Sequence, residues 1–272
     1  MKFPLLVAVL AFLFVSCDEL DEILDLGLSD EEIVEGLKEA LDTGLDSAVT
    51  SGSSVDGYLK NEAIKVLLPE EVTKLQSEIA SGSVAGVISY QDLLDLYVAT
   101  NANIDTDPFE ELVVAMNRGA ERAATKATPI FVDAITSMSF TDALGILQGG
   151  ETAATDYFKT NTSSALITAF QPDIKTALGE TAATDIYAGV VDFLSWEHTE
   201  TVLFVPVTVK VNDYIGQDLN LPETLDEYAT TKAVDGLFHL VGEEEKKIRK
   251  NPLEYASDII QKVFGSDEAT DN

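Results

Sequence analysis

Apolar residues recur at helical spacing along this 272-residue chain, and several of the runs open with a helix-start signal. Ser29-Asp30-Glu31-Glu32 has the pattern of a capping box, in which the serine and the last glutamate each bond the other's backbone amide. Proline suits the first turn of a helix and opens three more runs, at Pro69, Pro108 and Pro129. Short helices need one another to be stable, so the pattern predicts an all-α fold built as a single multi-helix bundle.

Two segments interrupt the helical pattern. The sequence of residues 141–178 predicts short helices that are broken at Gly149-Gly150 and at Pro172. A break is expected at Pro172 because an interior proline removes a backbone hydrogen bond. Residues 202–211 are rich in β-branched side chains but contain Pro206, which favours a short extended excursion or a hairpin over a larger sheet. No linker rich in Pro, Gly or Ser divides the chain. Residues 29–265 are therefore predicted to form one domain, followed by an acidic tail over 266–272.

The composition argues against several classes of function. The chain has 17 Lys and Arg against 48 Asp and Glu, a net charge of −31, and a nucleic-acid partner is not expected because phosphates are bound by clustered cations. One cysteine rules out a disulfide framework, and two histidines leave no zinc or Cys-His cluster. The sequence has no nucleophile or phosphate-loop motif. No metal and no cofactor are therefore predicted.

The N-terminus has the pattern of an export signal. After Lys2, the apolar stretch from Phe3 to Val15 would span about 20 Å as a helix, less than the ~30 Å core of a bilayer, so residues 1–16 are predicted to be a cleaved signal peptide. Ser16-Cys17 resembles the bacterial lipobox, although Phe14 stands where leucine is usual. An ordinary secretory signal, with Cys17 incidental, is the alternative.

The lipobox resemblance implies acylation of Cys17, for example with palmitate, followed by an acidic tether over residues 17–28. More than one acyl chain gives stable membrane anchoring. We therefore expect a protein of the bacterial cell envelope, lipid-anchored to a membrane and either periplasmic or facing the cell surface.

The string GETAATD occurs twice, at residues 150–156 and 179–185. Each glycine can end one helix in a left-handed conformation, while Thr152 or Thr181 caps the next helix. We interpret the two copies as a helix-turn-helix corner that is used twice. A paired ligand site is the alternative.

A likeness to a known family rests on several strings, among them LSDEEIVEGLKEAL, AMNRGAERA, PIFVDAI, ILQGGETAATDYFK, FQPDIKTAL and ATTKAVDGLFHLVGEEEKKIR. Over residues 28–265 the chain resembles the uncharacterised bacterial family called domain of unknown function 4197. Residues 81–104 and 195–222 look longer than is usual in the family. The resemblance supports the predicted domain and the lipoprotein assignment, and it implies no reaction.

Cations are scarce in this acidic chain, so the polar side chains around them are candidates for a site. Arg118 and Arg122 lie four apart on one helical face and could bind an anionic ligand. Pairing with Asp133, Asp156 or Glu245 is the favoured interpretation. The candidate ligand-binding or structural cluster, to which no catalytic role is assigned, consists of Asn117, Arg118, Arg122, Asp133, Asp156, Tyr157 and Arg249.

The loop at residues 101–107 has oxygen-bearing side chains at alternating positions, Asn101, Asn103, Asp105 and Asp107, as a calcium loop does. Thr106 stands where such loops need glycine, and Leu112 stands where they need glutamate. Helix capping by Asp107 is therefore the preferred role.

Together these features predict a lipid-anchored envelope protein that acts as a non-catalytic binding or structural module, with a protein or small molecule as its partner. The alternative is a hydrolase that uses carboxylates near Arg118, Asp133 and Asp156.

Overall fold

The computed structural model describes residues 28–84, 86–100, 107–180, 182–202, 204–215, 219–266 and 269. Within these ranges the helices are α1 (Asp30–Ser53), α2 (Glu70–Ser81), α3 (Tyr90–Thr100), α4 (Pro108–Ala124), α5 (Ala127–Ser137), α6 (Phe140–Leu147), α7 (Ala153–Glu180), α8 (Ala183–Ser195), α9 (Asp226–Lys250) and α10 (Asp258–Phe264). Two antiparallel strand pairs complete the described fold: β1 (Ser83–Val84) with β2 (Ile88–Ser89), and β3 (Glu197–Val202) with β4 (Val205–Lys210). The predicted all-α fold with a short hairpin is confirmed.

Local signals place the helix starts close to where the sequence predicts them. The capping box at Ser29 is present, with the Ser29 hydroxyl accepting from the amide of Glu32 at 3.2 Å and the Ser29 amide donating to the Glu32 carboxylate at 3.0 Å. Asp107 caps α4 by accepting from the amides of Phe109 and Glu110, both at 3.1 Å. The remaining candidate calcium ligands, at residues 101–105, lie outside the described residues.

The predicted break at Pro172 is wrong, because α7 runs through it without interruption. Pro172 itself is exposed, but Phe170 and Ile174 on either side of it are fully buried. An interior proline costs about 3 kcal/mol, and burying two large apolar side chains offsets that cost. Tertiary packing therefore overrides the local rule.

The proline nearest the last helix does not open it. Pro252–Glu254 form a single 3₁₀ turn, and α10 begins only at Asp258, capped by the Ser257 hydroxyl. The Leu253 side chain in this turn is 78% exposed.

The centre of the bundle is formed by α4, α7 and α9. α7 packs most extensively on α4 and α9, and α1 packs on α9 and α10. Three buried rings meet where α5, α7 and α9 cross, with the Phe131 ring 5.2 Å from Phe158 and 6.2 Å from Phe238. Because α7 is continuous, it places the two copies of the GETAATD string at its opposite ends.

The segment around residues 202–211 forms the β3–β4 hairpin, as predicted. Val202 pairs with Val205, so two residues connect the strands, and Phe204 in that connection has a φ of 71°. Pro206 is accommodated because the sheet has only two strands. The Phe204 side chain is 98% exposed.

Candidate functional site

Asn117, the most buried of the candidate polar residues, fastens the segment between α1 and α2. Its Oδ1 accepts from the Val66 amide at 2.9 Å, and its Nδ2 donates to the carbonyls of Val66 and Val113 at 2.8 and 2.7 Å. The side chain has no exposed surface. Every polar group of the amide is satisfied by backbone, so Asn117 has a structural role.

Arg118 joins the same segment to α4 through two carboxylates. Its Nη1 donates to Glu121 at 2.6 Å and its Nη2 donates to Asp56 at 2.7 Å. The other Glu121 oxygen accepts from the amides of Tyr58 and Leu59 at 3.3 and 3.2 Å. Arg118 therefore pairs with Glu121 and Asp56, and not with the carboxylates expected from the sequence.

These bonds shift the ionisation of the groups that make them. Hydrogen bonds from Lys60 and then Arg118 lower the pKa of Asp56 below its ordinary value. Hydrogen bonds to Glu121 and then Asp56 raise the pKa of Arg118. Both shifts favour the charged forms, as in a structural ion-pair network.

Four other members of the predicted cluster make contacts of their own and are not among the described ion-pair partners of Arg118. Arg122 pairs with Glu180, and both side chains are about half exposed. Asp133 and Asp156 are exposed, and Thr152 donates to Asp156 at 3.4 Å. The Tyr157 hydroxyl donates to the carbonyl of Ala134 at 3.2 Å, and burial raises the pKa of Tyr157. Arg118, Asp133 and Asp156, the residues named for a hydrolase site, therefore form no described ion pair with one another.

Arg249, the remaining candidate, forms a buried ion pair with Glu245, one helical turn earlier on α9. Nε and Nη2 of Arg249 donate to Glu245 Oε1 at 3.0 and 2.9 Å. The Arg249 guanidinium also donates to the carbonyls of Leu147 and Ile146 at the end of α6, and it lies 5.7 Å from the ring of Phe264.

Glu245 reaches in turn into the first GETAATD copy. Its two oxygens accept from the amides of Ala154 and Thr155, both at 2.9 Å, and from the Thr155 hydroxyl at 2.8 Å. A carboxylate at the amino end of a helix is favoured by the free amides and by the helix dipole. The first copy is thus a carboxylate-binding corner, filled by a side chain of the same protein.

The second GETAATD copy has the same residues in a different corner. α7 continues through Gly179 to Glu180, and Ala182, with a φ of 55°, makes the turn into α8. Neither Gly150 nor Gly179 has a positive φ, so the expectation that these glycines adopt a left-handed conformation is wrong. Ala182 therefore adopts a left-handed conformation that normally favours glycine.

This second corner borders a cleft of about 650 Å³ between the end of α7, the start of α8 and the start of α9. Leu178, Ala183, Tyr187 and Leu225 form its buried apolar floor. Polar side chains from all three helices, among them Gln171, Lys175, Thr184 and Asp226, also line it. A concave site of this size with an apolar floor and a polar rim is typical of ligand sites.

Two polar groups of the cleft are fixed by hydrogen bonds. The Tyr187 hydroxyl donates to the carbonyl of Pro222 at 2.6 Å, and burial, with a contribution from Glu71, raises the pKa of Tyr187 to about 12. Asp226 accepts from the Thr224 hydroxyl, and this bond lowers its pKa despite partial burial. The cleft therefore has a neutral phenol in its floor and an ionised carboxylate at its edge.

The sequence-based cluster did not include the cleft residues Lys175, Thr184 and Asp226, nor the buried Glu121 and Glu245. The repeated string was the one available signal, since its second copy contains Thr184. Glu121 and Glu245 resemble surface carboxylates in sequence because their partners are amides of distant segments.

In the described ranges, no group of three or more His, Cys, Asp and Glu residues is placed to hold a metal ion.

No single described helix is long and apolar enough to cross a membrane. The pair α5 and α6 meets that test in length and composition, but the two helices bend by 106° and pack against α1 and α7.

A family model described as "Protein of unknown function (DUF4197)" matches residues 27–265. The resemblance found in the sequence is confirmed over the whole helical region. No curated protein and no solved structure matches the chain.

Proposed function

The chain belongs to the DUF4197 family of proteins of unknown function, and from its architecture we propose that it is a lipid-anchored, non-catalytic binding protein of the bacterial cell envelope. We place its ligand in the cleft between α7, α8 and α9. The observation that carries the proposal is the cleft itself, in which polar side chains from three helices surround an apolar floor in a volume of about 650 Å³.

The buried carboxylates support binding over catalysis. Glu121 and Glu245 each accept several hydrogen bonds from backbone amides and an arginine, which leaves them no free oxygen to act as a base. Asp133 and Asp156 are exposed and do not converge with Arg118. A general base has to be within hydrogen-bond reach of the proton that it removes, and a carboxylate whose oxygens are already engaged is poorly suited to that role.

Export and anchoring are supported by the sequence of the first 17 residues. A positive charge, an apolar stretch too short to span a bilayer, and Ser16-Cys17 at its end follow the order expected for a lipoprotein signal. The acidic domain would be repelled by anionic lipid headgroups, so the acyl chains alone would hold it at the membrane.

Ligand binding is tested by native mass spectrometry of the full chain after gentle detergent extraction. Ala188 is an exposed residue that lines the cleft, so Ala188→Trp fills the site without disturbing the core. We expect the wild-type chain to carry a small-molecule adduct that Ala188→Trp lacks. Ile167→Trp, at an exposed position of α7 outside the cleft, is the matched control and should keep the adduct. An adduct retained in both variants would rule out the cleft as the binding site.

Anchoring is tested separately by labelling cells that express the protein with a palmitate analogue. We expect label on the wild-type protein and none on Cys17→Ser. The mass of the mature wild-type protein should correspond to an acylated chain that begins at residue 17. An unlabelled wild-type protein, or one with its leader intact, would overturn the lipid anchor and leave the binding proposal standing.

A further inference from the structure

Charges of both signs line the α7–α8–α9 cleft without neutralising one another. Lys175 lies on the α7 side, and four carboxylates share the lining: Asp192, Glu223, Asp226 and Glu227. Lys175 is exposed and makes no ion pair with any residue that the structure describes. A ligand that carries one charge of each sign could satisfy both sets of groups.

The first copy of the repeat shows that an alanine and a threonine in the first turn of a helix can bind a carboxylate. The second copy places the same two residue types at the start of α8, after a corner that differs in the conformation of Ala182. In the first copy, Ala154 and Thr155 bind the Glu245 carboxylate through two amides and a hydroxyl. The corresponding residues of the second copy, Ala183 and Thr184, line the cleft. The Thr184 hydroxyl makes no hydrogen bond to any other described residue, so it is available to a carboxylate that comes from outside the chain.

The rest of the cleft sets the size and polarity of the ligand. Its floor is apolar, with Leu178, Ala183, Tyr187 and Leu225 buried and Val191 40% exposed at the edge. A volume of about 650 Å³ is in the range that encloses molecules larger than one amino acid. Each residue added to a peptide moves its two charged ends about 3.5 Å further apart. A short peptide can therefore reach both Lys175 and the lining carboxylates, which do not contact each other.

We infer that the cleft binds a short peptide with free termini and apolar side chains. Its carboxylate is held by Lys175 and Thr184, and its ammonium group is held by the acidic side chains of the rim. This inference rests on the proposed binding function and names the chemical class of its ligand.

The test is calorimetric titration of the full chain with leucyl-leucine and with two derivatives that each lack one terminal charge, the C-terminal amide and the N-acetyl form. We expect each derivative to bind at least about tenfold more weakly, because it lacks one charged hydrogen-bonding group; tenfold corresponds to about 1.4 kcal/mol. Free leucine is titrated in parallel. Tighter binding of leucine than of the dipeptide would overturn the peptide assignment.

Variants assign each end of the ligand. Lys175→Gln should weaken the binding of leucyl-leucine about tenfold and reduce its advantage over the C-terminal amide. Glu227→Gln removes one of the four lining carboxylates and should reduce the advantage of leucyl-leucine over its N-acetyl form. Lys159→Gln, at an exposed residue of the same helix with no described ion pair, and Asp133→Asn, an exposed carboxylate outside the cleft, are the charge-matched controls. If the control variants weaken the binding of leucyl-leucine as much as the cleft variants do, the inference is wrong. The peptide would then respond only to the overall charge of the protein.

The inference and the proposed function fail in different ways. If no dipeptide binds while the wild-type chain still carries an adduct that Ala188→Trp lacks, the peptide assignment is wrong and the cleft remains a binding site. If Ala188→Trp still binds every ligand that the wild-type chain binds, the cleft is not the binding site. The proposed function and the peptide inference are then both wrong.

Discussion

Glu245 and Arg249, paired at 2.9 Å on α9, bind the ends of two other helices that meet there. The carboxylate of Glu245 accepts from the first amides of α7, and the guanidinium of Arg249 donates to the last carbonyls of α6. Each charge therefore lies at the helix end whose dipole favours it. This pair therefore ties the end of α6 and the start of α7 to α9, in addition to the packing of α7 along α9.

Removing one member of the pair should be strongly destabilising. Arg249→Met leaves the Glu245 carboxylate buried without its cation and two α6 carbonyls without a donor, which we expect to cost about 3–5 kcal/mol of unfolding free energy. The measurement is urea denaturation. The double variant Glu245→Gln, Arg249→Met should cost less than the sum of the two single variants.

The nearby pair between Lys246 and Glu243 provides a control, because both of its side chains are more than 40% exposed. Lys246→Met should cost less than about 1 kcal/mol. An Arg249→Met effect as small as this would contradict the structural role of the buried pair.

The stability of the protein should also depend on the side-chain amide of Asn117. In Asn117→Asp the group that donates to the carbonyls of Val66 and Val113 becomes a charged acceptor, so three buried oxygens face one another. We expect a loss of at least about 2 kcal/mol and faster amide hydrogen exchange at Val66. Asn161→Asp changes an exposed amide that also donates to a backbone carbonyl, at 2.8 Å, and should change stability by much less.

The fold could be predicted where its signals are local. The capping box at Ser29 and the cap at Asp107 act within one helical turn, so the sequence contains everything that determines them. The continuity of α7 could not be predicted, since it depends on what Phe170 and Ile174 bury against in other helices.

The candidate site was harder to predict for the same reason. Sequence spacing placed Arg118 and Arg122 on one face, but their partners, Asp56 and Glu180, come from segments about 60 residues away. Asp56 has a φ of 67°, and no local pattern in the sequence indicates that conformation. The cleft exists only because three helix ends meet, and the second GETAATD copy was the single sequence feature that indicated it.

The contact between Glu32 and Lys262 should be lost at acid pH. A hydrogen bond from Lys262, followed by those from the amide and hydroxyl of Ser29, lowers the pKa of Glu32 from 4.5 to about 2. A carboxyl whose pKa is lower in the folded state stabilises the fold above its unfolded pKa, and that contribution disappears as the pH falls through the folded value.

The measurement is the melting temperature of the wild-type chain and of Glu32→Gln between pH 7 and pH 2. We expect the wild type to melt higher at pH 7, and the difference to shrink between about pH 4.5 and pH 2. Glu31→Gln, at a neighbouring residue with no ion pair in the described part of the chain, is the control. A difference between wild type and Glu32→Gln that stays constant down to pH 2 would contradict the prediction.

Phe204 at the tip of the β3–β4 hairpin should be replaceable with a gain in stability. Its φ of 71° costs a non-glycine residue about 1–2 kcal/mol, and a side chain that is 98% exposed recovers little of that cost by packing. In Phe204→Gly this strain is relieved, against an added entropy cost of about 0.4–1 kcal/mol from the more flexible unfolded chain. We expect a net gain of about 0.5–1 kcal/mol, seen as slower amide hydrogen exchange in β3 and β4.

Val205→Gly is the control. It also removes an exposed apolar side chain, but from a strand position without a positive φ, so it should speed the exchange. Because the two variants differ chiefly in the backbone conformation that they release, a loss of protection in both would show that Phe204 is not strained.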